Sequence, residues 1–230
     1  MMIDIDHYSN IVFFTGAGMS AESGVPTYRG SGGIWNRYNW EEYACQEAFR
    51  RKPTQVLDFH ELRRKSVFKC QPHNGHKFIF KLQKSHGNVT IITQNIDGMH
   101  QRIGTENVIE LHGSLWRLRC EDCGSSVDDI GDSFASKKCK CGNYLRPDIV
   151  WFGDMLNPQV VQKASSAIDQ CDLFISIGTS GAVWPAAGFP KEARSRDAYC
   201  IEVNTELTEL SYLYDKVIID RASQISKYLE

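Results

Sequence analysis

Residues 11–24 read Ile11-Val12-Phe13-Phe14-Thr15-Gly16-Ala17-Gly18-Met19-Ser20-Ala21-Glu22-Ser23-Gly24. A short, β-favouring apolar run ends abruptly in small residues, the pattern of a buried strand that enters a glycine-rich turn and then a helix start. Gly16 and Gly18 are free to take φ > 0 and carry no Cβ, so a ligand can approach the backbone there. Exposed N–H groups in such a turn, with a helix N-terminus behind them, suit a pyrophosphate. The spacing is a variant of the dinucleotide fingerprint: GxGxxG would place a glycine where Ala21 stands, and the next glycine is Gly24. A tight strand-to-helix turn that holds no ligand would read the same. The following stretch, Pro26-Thr27-Tyr28-Arg29-Gly30-Ser31-Gly32-Gly33-Ile34-Trp35, is rich in breakers and holds a cation and two aromatics. It reads as a segment able to fold over a bound cofactor.

Further along, other apolar runs end in polar residues. Asn88–Thr93 delivers Gln94, Asn95 and Asp97, with Ile96 between them. Val108–Leu111 ends at His112, the side-chain type whose ordinary pKa suits proton transfer near neutral pH. Asp172–Ile177 ends at Gly178-Thr179-Ser180, where a hydroxyl serves either a cofactor or a helix cap. Ala198–Val203 leads to Asn204-Thr205-Glu206, and Lys216–Asp220 to Arg221-Ala222. Short strands separated by helical segments, several with polar C-terminal edges, predict an α/β fold: a doubly wound, Rossmann-like parallel sheet. In such sheets ligands bind at that edge.

Two cysteine pairs, Cys120/Cys123 and Cys139/Cys141, are separated by a polar segment. Four thiolates would close a tetrahedral zinc site, which argues for a structural ion. Lys137, Lys138 and Lys140 would offset its negative charge, and a redox dithiol is the competing reading. Residues 115–147 therefore read as a small zinc-ribbon module inserted in a single domain spanning 1–230, with Asp128–Asp132 as an exposed excursion. Cys45, Cys70, Cys171 and Cys200 have no paired spacing and read as free thiols.

The 230 residues, 42% hydrophobic, suffice for one α/β domain with a small module. A net charge of −2 gives no general attraction to nucleic acid or membranes. No apolar run nears the roughly 20 residues of a membrane span. The N-terminus lacks a signal-peptide core, so a cytoplasmic chain is expected. Residues 40–66 read as helical, with Pro53 near a helix start and Arg63-Arg64-Lys65 as a solvated basic C-terminus. His73 and His76 read as residues at the start of another helix rather than metal ligands.

GAGMSAESGVPTYRG followed by GGIW, then TQNIDGMH, ELHGSL, the four cysteines, RPDIVWFGD and GTS together resemble the sirtuins, the NAD-dependent protein lysine deacylases. The likeness runs from Gly16 to Ala222. It implies NAD contacts from Gly16, Ala17, Gly18, Ser20, Glu22, Thr27, Tyr28, Arg29 and Trp35. Gln94, Asn95, Ile96 and Asp97 would surround the nicotinamide ribose, and Gly178, Thr179, Ser180, Asn204, Thr205, Glu206 and Ala222 would complete the site. It makes His112 the general base and Asn95 its catalytic companion. Val150, Trp151, Phe152 and Gly153 would pair with the substrate peptide by β-augmentation.

Family members that prefer acidic acyl groups carry Tyr-x-x-Arg where this chain has His60-Glu61-Leu62-Arg63. Arg63 retains the fork that holds a succinyl or malonyl carboxylate, whereas His60 replaces the tyrosine. The implied reaction moves an acyl group from lysine to ADP-ribose, with release of nicotinamide and one structural zinc ion in the enzyme. The expected partners are acyl-lysine proteins or peptides, with no direct nucleic acid, no membrane and a monomeric chain. Two alternatives stand beside this: an ADP-ribosyltransferase using the same cofactor site, and a non-catalytic zinc-ribbon binding module.

Overall fold

The protein is described from a computed structural model covering residues 2–28 and 33–230. The strands are β1 (Ile11–Thr15), β2 (Val89–Thr93), β3 (Val108–Glu110), β4 (Gly113–Cys120), β5 (Ser126–Asp128), β6 (Leu145–Ile149), β7 (Leu173–Ile177), β8 (Tyr199–Asn204) and β9 (Lys216–Ile219). The helices are α1 (Ala17–Ala21), α2 (Trp40–Tyr43), α3 (Gln46–Arg51), α4 (Pro53–Phe68), α5 (Asn74–His86), α6 (Met99–Arg102), α7 (Pro158–Gln170) and α8 (Phe189–Arg194).

Six strands form a parallel sheet in the order β3-β2-β1-β7-β8-β9. The expected doubly wound sheet is therefore present, and its order reverses between β1 and β7. All five residues of β1 are buried, because both faces of the sheet are covered. One face packs Phe13, Ile91 and Ile175 against Ile79 and Leu82 of α5. The other packs Val12, Phe14 and Phe174 against Ala164 and Ile168 of α7 and Phe189 of α8. Each such side chain contributes about 1.5–3 kcal/mol on burial, which fixes the strand register. Thr15 pairs with Thr93 on one side and Ile177 on the other, so the residues that follow these three strands emerge side by side.

A second, antiparallel sheet, β5-β4-β6, carries the cysteines. Leu118, Cys120 and Leu145 form its small core. No helix among the described residues is long and apolar enough to cross a membrane.

The expected helix over 40–66 is instead α2, α3 and α4. It breaks at Ala44–Cys45 and at Lys52, which has φ −142° and ψ 64° because a residue before proline is pushed out of the α region. Pro53 then opens α4, as expected.

The basic run is not a solvated helix end. Arg64 is fully buried and donates to the carbonyls of Asp129, Gly131 and Leu115, with its guanidinium 3.3 Å from the Asp129 carboxylate. Asp129 is correspondingly 8% exposed and anchors the segment 128–132, while Asp128, Ile130 and Asp132 around it are exposed as expected. Lys137 pairs with Asp58 and Glu61 of α4. Lys138 lies over the Tyr144 ring. Lys137 thus joins the module to α4, whereas Lys138 packs within the module itself.

Candidate active site

A cavity of about 1170 Å³ opens over the C-terminal ends of β1, β2, β7 and β8. That is the switch point of the sheet, where a crevice forms because successive connections leave in opposite directions.

Gly16, Ala17 and Gly18 line it, yet the glycines are required for a different reason from the one their sequence suggests. Gly16 has φ −120°, an ordinary extended value. A Cβ on Gly16 would lie 2.7 Å from the Gly178 carbonyl oxygen, and one on Gly18 would lie 2.7 Å from Gly178 Cα. Two loops meet backbone to backbone, and Gly178 itself has φ +62°. The amides of this turn are also largely committed within the protein. Gly16 N–H donates to Ile177 O, Gly18 N–H to Gly178 O and Met19 N–H to Gly16 O.

On β2's edge, Gln94, Asn95 and Ile96 line the cavity. Asn95 is held firmly: its Nδ2 donates to Gly16 O at 2.8 Å and to Ser20 Oγ at 3.3 Å, and its backbone N–H donates to Thr93 Oγ1. This leaves Oδ1 as its polar atom toward a ligand.

His112 follows the end of β3 and also lines the cavity. Its Nδ1 lies 2.9 Å from the Gln94 carbonyl oxygen. A carbonyl only accepts, so Nδ1 carries the proton and Nε2 keeps its lone pair. Burial holds the ring's pKa below the usual histidine value, with the Gln94 carbonyl opposing that effect. The His112 carbonyl accepts from Val150 N–H at 3.0 Å, which ties this residue to the strand wall opposite.

Thr179 and Ser180 bring β7's edge into the cavity, and Asn204 and Glu206 bring β8's. Asn204 Nδ2 donates to Thr179 O, which locks the two edges together. Ser180 Oγ accepts from Ala182 N–H at 3.4 Å, a local turn rather than a helix cap.

Thr27, Tyr28 and Trp35 line the cavity from the breaker-rich segment; Arg29 lies outside the described residues. Ser20, Glu22, Asp97, Thr205 and Ala222 are not brought to the cavity wall. Ser20 is buried beneath Asn95. Asp97 is also buried, accepting from Met99 N–H, and its carboxyl is raised above the usual range chiefly by desolvation. Glu22 accepts from the backbone and hydroxyl of Ser223, beside Ala222.

Val150, Trp151, Phe152 and Gly153 form the opposite wall. Trp151 is a core residue as well. Its Nε1–H donates to His60 Nε2 at 3.1 Å, the two ring planes lying nearly parallel, and the Arg146 guanidinium stacks 3.4 Å from its ring centroid. His60 is fully buried. Desolvation, helped by Arg63 and Arg146, keeps it neutral, so with Nε2 accepting its proton sits on Nδ1. His60 therefore carries a fixed N–H and no charge, with Nδ1 itself buried. Arg63, with five guanidinium N–H donors, is a cation that lines this corner of the cavity.

Sequence reasoning missed the rim: Met155, Leu156, Val183, Trp184 and Leu207 also line the cavity. They sit in loops without a motif. The exposure of Met155 (86%), Trp184 (74%) and Leu207 (70%) identifies them only once the fold is known.

The four thiol sulfurs of Cys120, Cys123, Cys139 and Cys141 lie within 4.8 Å of one another. The Cys120–Cys141 and Cys123–Cys139 separations are 3.6 Å. Zinc–sulfur bonds of about 2.3 Å place tetrahedral sulfurs roughly 3.8 Å apart, so the set fits one zinc ion. A disulfide would need about 2.05 Å.

The sequence model of the Sir2 family matches residues 16–185. The chain is 43% identical over 217 residues to an NAD-dependent protein deacylase of Aquifex aeolicus (strain VF5), covering 93% of this chain and 91% of that protein. It is 42% identical over 221 residues to an NAD-dependent protein deacylase of Pasteurella multocida (strain Pm70), covering 94% of each. Among solved structures it is similar to a Sir2 homologue in complex with NAD, with TM-score 0.88, 40% identity and coverage of 96% and 88%. A Sir2 homologue in complex with ADP-ribose gives TM-score 0.91, 39% identity and coverage of 96% and 90%.

Proposed function

This chain belongs to the Sir2 family, the sirtuins, and from that premise we propose that it is an NAD-dependent protein lysine deacylase. The observation that carries the reading is the His112 imidazole. Its Nδ1–H is fixed on the Gln94 carbonyl, and its neutral Nε2 belongs to a cavity walled by the glycine turn on one side and Val150–Gly153 on the other.

Bound NAD would supply the nicotinamide-bearing ribose carbon as acceptor for the acyl oxygen, its bond to nicotinamide breaking as the new C–O bond forms; one water would complete release of the lysine amine and leave the acyl group on ADP-ribose. The chain's own residues bind, orient and move a proton. Thr27, Tyr28, Gln94, Asn95, Thr179, Ser180 and Asn204 would hold the dinucleotide, and Asn95 Oδ1 would be free to accept from a ribose hydroxyl. His112 takes a hydroxyl proton at Nε2. Val150–Gly153 pairs with the extended peptide, and the apolar rim excludes water from the reacting carbonyl.

The acyl preference extends to acidic chains. Arg63 lines the aromatic corner of the cavity, and its Nε is buried without an acceptor. A buried guanidinium N–H in that state favours a carboxylate ligand. The cysteine module, over 115–147, holds one structural zinc ion. The chain acts as a monomer in the cytoplasm on acyl-lysine proteins.

The test is nicotinamide release from acetyl-, succinyl- and malonyl-lysine peptides with NAD, with products identified by mass. Free lysine peptide and acylated ADP-ribose are expected. An ADP-ribosylated peptide, or no nicotinamide release from any acyl peptide, would overturn the reading. Arg63→Met is expected to lower succinyl turnover far more than acetyl turnover.

A further inference from the structure

Arg63 already has a partner, and that partner comes from outside α4. Its Nη2 donates to Tyr28 Oη at 2.9 Å, with the guanidinium carbon 5.1 Å from the Tyr28 ring centroid and 6.0 Å from that of Phe59. The ion pairs of α4 among the described residues are those of Arg64, Glu61 and Asp58 with Asp129, Lys65 and Lys137; none includes Arg63. A phenol hydroxyl thus takes the place of a counter-ion.

Nε and Nη2 together form the guanidinium edge that meets a carboxylate side-on, with two parallel N–H···O bonds. Of that edge, Nε is free and Nη2 is held by Tyr28. A carboxylate that engages both must displace the phenol oxygen. Tyr28, with Thr27 before it, lies in the segment that lines the cofactor end of the cavity, and its ring contacts Trp35 at 6.2 Å.

We propose that Tyr28 Oη and a carboxylate at the tip of the substrate's acyl chain compete for the Nε–Nη2 edge of Arg63, so that Tyr28 sets the balance between neutral and acidic acyl groups. With a short neutral acyl chain, Arg63 stays on Tyr28 and holds the segment against α4. With an acidic chain, Arg63 transfers to the substrate and Tyr28 is released. The tyrosine is therefore a selectivity residue acting through Arg63. The inference rests on the deacylase reading, and its test separates the two.

The experiment compares kcat/KM for acetyl- and succinyl-lysine forms of one peptide, at saturating NAD, in the wild type, Tyr28→Phe, Arg63→Met and the double variant. Tyr28→Phe keeps the ring and removes the competing oxygen. Because a hydrogen bond to a charged group is being removed, it is expected to raise the succinyl-to-acetyl ratio by roughly ten-fold. In the Arg63→Met background the same change is expected to alter the ratio by less than about two-fold, since the shared partner is gone. A ratio that stays within about two-fold of wild type in Tyr28→Phe, or one that rises equally with and without Arg63, overturns the proposal. Acetyl turnover in the wild type shows separately whether the deacylase reading stands.

Discussion

The Nδ1 atom of His112 lies 2.9 Å from the carbonyl oxygen of Gln94, and this contact decides which face of the imidazole can act as a base. The donor is fixed on the protein side, so proton transfer belongs to Nε2. His112→Ala should cut turnover by about two orders of magnitude or more while NAD binding and zinc content persist. Turnover near wild type in that variant would remove His112 from the reaction.

The same contact sets a pH dependence. Burial lowers the folded pKa of His112 below the ordinary value near 6.5. A base must be neutral to act, so kcat/KM should be level through neutral pH and fall on acidification with a midpoint below about 6.5. A profile of kcat/KM against pH for an acetyl peptide checks this. An acidic limb centred above pH 7 would contradict the assignment.

Stability should respond to acid through two other histidines. His76 is fully buried with neither ring nitrogen bonded, and its ring lies 5.0 Å from that of His100. Desolvation lowers His76 to about 2 and His100 to about 4. Both stay neutral in the folded state and gain protons on unfolding below the unfolded pKa near 6.5. Their contribution is therefore present above that pH and lost as pH falls, by about 2 kcal/mol per histidine at pH 5. His76→Phe should flatten the decline in Tm between pH 7 and 5. A decline as steep as wild type would place its origin elsewhere.

Arg146 should matter out of proportion to its distance from the cofactor end. It is fully buried, stacks on Trp151, and bonds Glu121 next to Cys120 on one side and Asp154 on the other. Removing one member of such a network costs about 3–5 kcal/mol because the remaining charges lose their partner. Arg146→Met should lower Tm and raise the KM for acyl peptide more than that for NAD. Equal effects on both KM values would argue against a specific link to the peptide wall.

Elemental analysis should find one zinc ion per chain, and Cys139→Ser should lose it. If the lost stability is several kcal/mol, a shift of roughly 2–4 °C per kcal/mol lowers Tm by about 10 °C. An equally stable variant without zinc would show that the cysteine cluster folds unaided.

The sheet and the location of the cavity were legible because buried strands leave continuous apolar runs and their functional ends are polar. Thr15-Gly16, Thr93-Gln94 and Ile177-Gly178 mark three neighbouring strand ends in the sequence itself. What the glycines do was not legible. Their contact is with Gly178, more than 150 residues away in the chain, and no local pattern reports a backbone-to-backbone approach of that kind. Arg64 shows the same limit. Arg63-Arg64-Lys65 looks like a solvated helix end, yet the partner that buries Arg64 lies in the cysteine module. The exposed rim, Met155, Trp184 and Leu207, comes from separate loops that only the fold assembles.

The bond from Val150 N–H to the His112 carbonyl is made by main chain alone. On the proposed reading, side-chain substitutions along 150–153 should therefore retune which proteins are recognised while His112 keeps its main-chain tie. A lineage carrying this scaffold can change clients without rebuilding its chemistry.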